Sequence, residues 1–179
     1  AWQGMREVQA LGRSIDNDAS VNLESFAPRF ASALRHLETV ERWGLFTTPA
    51  VIPPLAKLHC AVASIEISQR RPSPAIRHLR EAVRLDATNA HAHLELGSLL
   101  LEQGASSDGI AHLQRAVALA PDSADAHYNL GVALAMSGNF PEAEREVARA
   151  AALNPDDPQI TAFQQHLAQT SAAGPRLVP

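Results

Sequence analysis

The sequence predicts an all-α protein built as a repeat array, and three observations carry that expectation. A pattern of small residues returns every 34 residues: Ala56-Lys57-Leu58-His59, Ala90-His91-Ala92-His93 and Ala124-Asp125-Ala126-His127 open successive units. Ala63, Gly97 and Gly131 keep that phase, as do Ala75, Gly109 and Ala143, then Ala82, Ala116 and Ala150. The second observation is composition. Hydrophobic residues make up 46% of the chain and aromatics only 4%, which suits close-packed helices of Ala, Leu, Val and Ile rather than a β-sandwich. The third is punctuation: Gly104 and Gly138 fall mid-unit, where a helix end needs a left-handed residue, and Pro121 and Pro155 close the second and third units. A fixed period of this length means supersecondary units that bury their apolar faces on one another.

The elements follow in order. Met5, Val8, Leu11 and Ile15 share one face of a helix over residues 2–15, and the polar stretch 16–22 reads as a loop. Phe26, Phe30, Leu34 and Leu37 place a second helix over residues 26–42, with Pro28 in its first turn. Thr47-Thr48-Pro49 and Pro53-Pro54 then form a stiff connector that no helix crosses. Three units follow, 56–89, 90–123 and 124–157, each a helix A, a turn and a helix B. In the first unit the turn is Arg70-Arg71-Pro72-Ser73-Pro74, with Ser73 as N-cap and Pro74 at the first helical position. A helix over 158–170 carries Ile160, Phe163 and Leu167 on one side, the form that covers the last face of an array. Residues 171–179 read as a disordered tail.

Bulk properties narrow the class. The 179 residues suffice for one core or one short array with flanking helices, and a net charge of -4 argues against a general nucleic-acid binder. Cys60 is the single cysteine, so an internal disulfide and a multi-cysteine metal site are both excluded. No apolar run approaches a membrane span and no signal peptide opens the chain. It begins at Ala1, as an excised part of something longer would. Fourteen arginines against the single Lys57, with abundant alanine, read as a high-GC bacterial gene. The compartment expected is the cytoplasm or a membrane face, with any membrane association made through a partner or an upstream segment.

These repeats resemble the tetratricopeptide repeat. The third unit fits best, through Leu130, Gly131, Gly138, Ala143, Ala150 and Pro155. The second fits through Leu96, Gly97, Leu100, Gly104, Ala116 and Pro121 but has Gly109 where alanine is usual. The first is degenerate, with Ala63 for the glycine, Glu66 for a large apolar residue and Ala87 for the closing proline. The resemblance implies a right-handed α-α superhelix of three repeats, flanked by N-terminal helices (1–55) and a C-terminal capping helix, whose concave groove comes from the A helices. It also implies a protein or peptide partner and no chemistry or cofactor of its own. Carrying family positions across gives the groove as Lys57, Cys60 and Ser64; His91, Leu94, Glu95, Ser98 and Glu102; Asp125, Tyr128, Asn129 and Val132. Cys60, Ser64, Glu95, Asp125 and Asn129 stand where relatives clamp a chaperone's terminal carboxylate, so that ligand is not expected. Asn129 matches an asparagine that holds a peptide backbone in some long superhelices, but Ala61 and Glu95 interrupt the ladder.

Sites of chemistry are sparse. There is no nucleophile elbow, phosphate-cradling loop, HExxH or CxxC. His59, His93 and His127 recur in one register and His78 and His112 in another. Equivalent positions of neighbouring repeats lie about 10 Å apart, too far to share a metal, so no metal is expected, and the resemblance implies that the first set fills a slot where the family keeps a bulky aromatic. Arg77, Arg80 and Arg84 line one helix face, expected to be a solvated exterior rather than a patch for an acidic partner or lipid. Cys60 is expected to be inert. Trp2, Phe26, Phe30, Trp43 and Phe46 precede the repeats and read as a cap on the first.

The function expected is a non-enzymatic adaptor or scaffold that holds a peptide or protein in the groove. The alternatives are a docking or regulatory appendage of a larger bacterial membrane enzyme such as a glycosyltransferase, and a structural subunit of a multi-protein complex.

Overall fold

The structure, a computed structural model, describes Ser32 and residues 52–172. Helices α1 (Ile52–Ser68), α2 (Pro72–Leu85), α3 (Ala90–Glu102), α4 (Ser106–Leu119), α5 (Ala124–Met136), α6 (Phe140–Leu153) and α7 (Pro158–Ala172) follow in chain order, with no strand among the described residues. Ser32 is helical, within the stretch expected to form the second helix. The remaining N-terminal expectations, including Trp2 and the other early aromatics, lie outside the described residues, as does the tail from residue 173.

Caps recur with the same period as the small residues. Asn89 Oδ1 accepts from the Ala92 amide at 3.0 Å, Ser123 Oγ from the Ala126 amide at 3.2 Å, and Asp157 Oδ1 from the Gln159 amide at 2.8 Å. Each occupies an amide that the first turn of α3, α5 or α7 cannot satisfy itself. The A-to-B turns are equally regular. Arg71, Ala105 and Asn139 donate their amides back to the carbonyls of Glu66, Leu100 and Leu134 at 2.8–2.9 Å. This closure requires a left-handed residue just before, and Gly104 (φ 81°) and Gly138 (φ 84°) supply it without strain. The first turn reaches the same geometry with Arg70 at φ 56°.

Two expectations about prolines are corrected. α2 starts at Pro72, with Arg71 in the N-cap position, so Ser73 and Pro74 are inside the helix. The Schellman turn fixes that start: once Arg70 is left-handed and Arg71 has returned its amide, Pro72 is the first residue free to turn. Likewise α1 begins at Ile52 and takes Pro53 and Pro54 into its first turn, where a missing N–H costs nothing. At the other end α7 runs through Ala172, two residues into the expected tail.

The chain divides into two compact units, Ala1–Ala92 and His93–Pro179. In the first, Leu58, Ala61, Ala63 and Ile65 of α1 and Ala75, Ile76, Leu79 and Ala82 of α2 are buried. In the second, Leu113, Leu130, Leu134, Val147, Ile160 and Leu167 belong to one core, against which Phe163 packs. Small residues set the spacing within the helix pairs. A Cβ on Gly131 would lie 2.5 Å from Val147 Cγ2 and 3.2 Å from the Ala143 carbonyl oxygen. Gly97 and Gly109 face each other, so that a Cβ on either would come within 2.9 Å of the other's carbonyl oxygen. That mutual approach is why glycine replaces the usual alanine at 109.

Candidate functional site

The A helices α1, α3 and α5 carry the residues expected to meet a partner. On α1, Lys57 is exposed and Ser64 half-buried, its hydroxyl donating to the Cys60 carbonyl at 3.2 Å. Cys60 itself is buried, and the Asn89 amide nitrogen lies 3.7 Å from its Sγ. It is therefore covered rather than presented.

On α3, His91 and Glu102 are exposed, and Leu94, Glu95 and Ser98 are half-buried. Ser98 Oγ donates to the Leu94 carbonyl at 3.0 Å, repeating the bond made by Ser64 one period earlier. On α5, Asp125 is exposed, while Tyr128, Asn129 and Val132 are half-buried. The Asn129 amide donates to the Asp125 carbonyl at 2.9 Å. The Tyr128 ring meets Phe163 of α7 edge-on, with centroids 5.8 Å apart. Tyr128 thus belongs to the α5–α7 seam, and its removal would loosen the helix packing as well as any partner contact.

Charge distinguishes this part of the chain. Glu95, Glu102 and Asp125 project from α3 and α5, and none of the ion pairs of the described residues involves them. Leu94 and Tyr128 pack against the core behind them. The second unit therefore offers carboxylates over a partly covered apolar layer.

The recurring histidines point inward. His59, His93 and His127 are 5%, 6% and 7% exposed, the only buried polar side chains among the described residues. Each reaches the B helix of its own pair at an offset of 19 residues. His59 Nδ1 lies 3.1 Å from His78 Nδ1, and His93 Nδ1 lies 3.0 Å from His112 Nδ1. His127 Nδ1 lies 2.6 Å from Glu146 Oε2, and its Nε2 lies 3.1 Å from the Pro121 carbonyl oxygen. The pKa of His59 is lowered to about 4, first by burial and then by His78; Glu81 pulls it up and Arg84 pushes it down. These residues lock helix to helix, which is the packing role expected of the first set. The cross-helix partners lie in the second register, and the constant offset of 19 residues is the signal in the sequence that pairs the two. No group of three or more His, Cys, Asp or Glu among the described residues is placed to hold a metal ion. No helix among them is long and apolar enough to cross a membrane.

Comparison with known proteins gives a consistent picture. Two sequence models described as tetratricopeptide repeat match residues 63–122 and 100–167. No curated protein sequence matches the chain. Among solved structures, MamA superposes with a TM-score of 0.67 at 21% identity, over 87% of this chain and 87% of that one. The first repeat domain of Spaghetti (RPAP3), bound to the HSP90 peptide SRMEEVD, gives 0.65 at 18% identity over 67% of this chain and 95% of that one. An O-GlcNAc transferase mutant of Thermobaculum terrenum gives 0.62 at 26% identity, over 68% of this chain but only 23% of that one.

Proposed function

We propose that this chain, which belongs to the tetratricopeptide-repeat family, is a non-enzymatic adaptor that holds a basic or neutral segment of a partner protein on its A helices. Membership supports a protein-interaction module in general, since repeats of this kind are typically non-catalytic. The observation that carries the finer reading is the set of carboxylates Glu95, Glu102 and Asp125, left without ion pairs on α3 and α5 beside Leu94, Asn129 and Val132. Carboxylates in that state attract a cationic segment, and the apolar layer beneath offers it contact area. In this reading residues 56–157 act as three repeat units and α7 covers the last.

The test uses charge reversal rather than truncation, because Tyr128 is part of the packing. Peptide arrays first identify a lysine- or arginine-containing ligand. The double variant Glu95→Lys with Asp125→Lys should then weaken it by about tenfold or more in fluorescence anisotropy, with helicity unchanged. Full affinity in the folded variant would move the site off these helices.

A second reading is favoured by one comparison. The O-GlcNAc transferase is matched over 23% of its length, so in that protein the likeness is confined to part of a larger enzyme. Our chain would then be a docking appendage of a larger enzyme, a glycosyltransferase among the candidates. The same surface would serve, with the partner recruited to that enzyme, and the full-length gene separates the two cases.

A further inference from the structure

Five arginines fall within residues 70–84 against one carboxylate, Glu81. α2 buries Ala75, Ile76, Leu79 and Ala82, and helical spacing then sets Ser73, Arg77, Arg80 and Arg84 along the opposite stripe. All four are exposed, as are Arg70 and Arg71 in the turn before them. Two of these arginines have partners: Arg71 Nη1 lies 3.0 Å from Glu66 Oε2, and Arg84 Nε lies 2.7 Å from Glu81 Oε2. Arg70, Arg77 and Arg80 take part in none of the ion pairs of the described residues. The period does not require arginine at these places. One repeat later the positions of Arg77, Arg80 and Arg84 hold Ala111, Gln114 and Ala118, and two repeats later Arg145, Ala148 and Ala152.

We propose that this outer face of α2 is a second docking surface, and that its occupant is an acidic, Asp- and Glu-rich segment of a partner protein. Guanidinium groups offer planar, paired donors that match carboxylates two bonds at a time. A membrane fits less well. An interfacial helix needs apolar side chains on the face it presents, whereas α2 spends its own on the core. The large hydrophobic residues exposed among the described residues are Met136 and Phe140, neither of them on α2. Nucleic acid is disfavoured by the net charge of -4 and by the shortness of the stripe. The stripe uses none of the residues of the site proposed above, so it stands or falls independently of that site.

The experiment is an anisotropy titration of the full chain with a fluorescein-labelled 12-residue peptide of alternating Asp and Glu. Three variants accompany it: Arg77→Glu with Arg80→Glu, Arg115→Glu with Arg149→Glu as an equal change of net charge elsewhere, and Glu95→Lys with Asp125→Lys. We expect binding that weakens with added salt and falls by about tenfold or more with the α2 pair, while neither of the other pairs weakens it appreciably. Should the α2 pair fail to fold by circular dichroism, Arg77→Gln with Arg80→Gln takes its place. Three results overturn the proposal: no binding by the wild type, equal losses from the α2 and Arg115/Arg149 pairs, or preference for phosphatidylserine vesicles over the peptide. Self-association of the wild type, abolished by the α2 pair, would also overturn it by making a second copy the occupant.

Discussion

The α1–α2 pair and the α5–α6 pair use one register of the same period and complete it with different chemistry. Where the later pair closes its turn with Gly138, the first uses Arg70 in the same left-handed conformation. Gly131 lets α5 and α6 nearly touch, and Ala63 stands at its place in α1. The bridge across the later pair joins a ring to a carboxylate, His127 to Glu146, whereas the first joins two rings, His59 to His78. A neutral imidazole has one donor and one acceptor nitrogen, so two rings facing through Nδ1 share one proton between them. A second proton would set two N–H groups against each other. The period therefore fixes where helices touch but leaves open which groups make the contact.

Three perturbations probe this contrast. The largest effect is expected where backbones approach most closely. Gly131→Leu should lower stability by about 2–3 kcal/mol in thermal or denaturant unfolding, because Val147 and the Ala143 carbonyl leave no room for the side chain. An unchanged midpoint would mean that α5 and α6 are not seated this way.

The second perturbation is acid. His59 takes up its proton near pH 4 when folded and near 6.5 when unfolded. Its contribution is thus complete above pH 6.5 and lost as the pH falls toward 4. From pH 7 to pH 5 this site alone should cost about 2 kcal/mol of stability. His59→Phe keeps a ring in the slot and should flatten the pH dependence of the melting temperature by that share. His78→Glu, which copies the later bridge into the first pair, should flatten it as well. A pH profile untouched by either change would remove the His59–His78 bridge from the account.

The smallest effect concerns the turn. Arg70→Gly relieves a side chain in left-handed backbone, where Gly104 and Gly138 already sit, and should stabilise by about 0.5–1 kcal/mol. A loss of stability would show that the Arg70 side chain holds something that its exposure does not reveal.

Much of the fold was legible because helices signal through spacing. The phase kept by Ala63, Gly97 and Gly131 marks where the helices of a pair meet, and the spacing of Ile160, Phe163 and Leu167 marks a one-sided final helix. Boundaries set by prolines were less legible, since Pro53, Pro72 and Pro74 are each compatible with both a connector and a first turn. The caps Asn89, Ser123 and Asp157 keep the same period, but three different residue types hide it from a search for identity. The candidate site was legible only in outline. Position in a repeat places Tyr128 and Asn129 on an A helix, yet whether their polar atoms are available depends on neighbours far along the chain. Phe163 lies 35 residues beyond Tyr128, outside any single repeat.

The face-to-face glycines of α3 and α4 constrain the order in which this protein can change. Each carbonyl occupies the volume that a methyl group on the opposite residue would need, 2.9 Å from it in both directions. Alanine at 109 alone, the choice most repeats of this kind make, must first push α3 and α4 apart, and alanine at 97 alone meets the same obstacle. Neither step is open until the helices have already separated, through side-chain losses such as Leu101 or Leu113 that would themselves weaken the core. An alanine at either position, once accommodated, would have moved the carbonyl that blocks the other, so the costs of the two substitutions should not add.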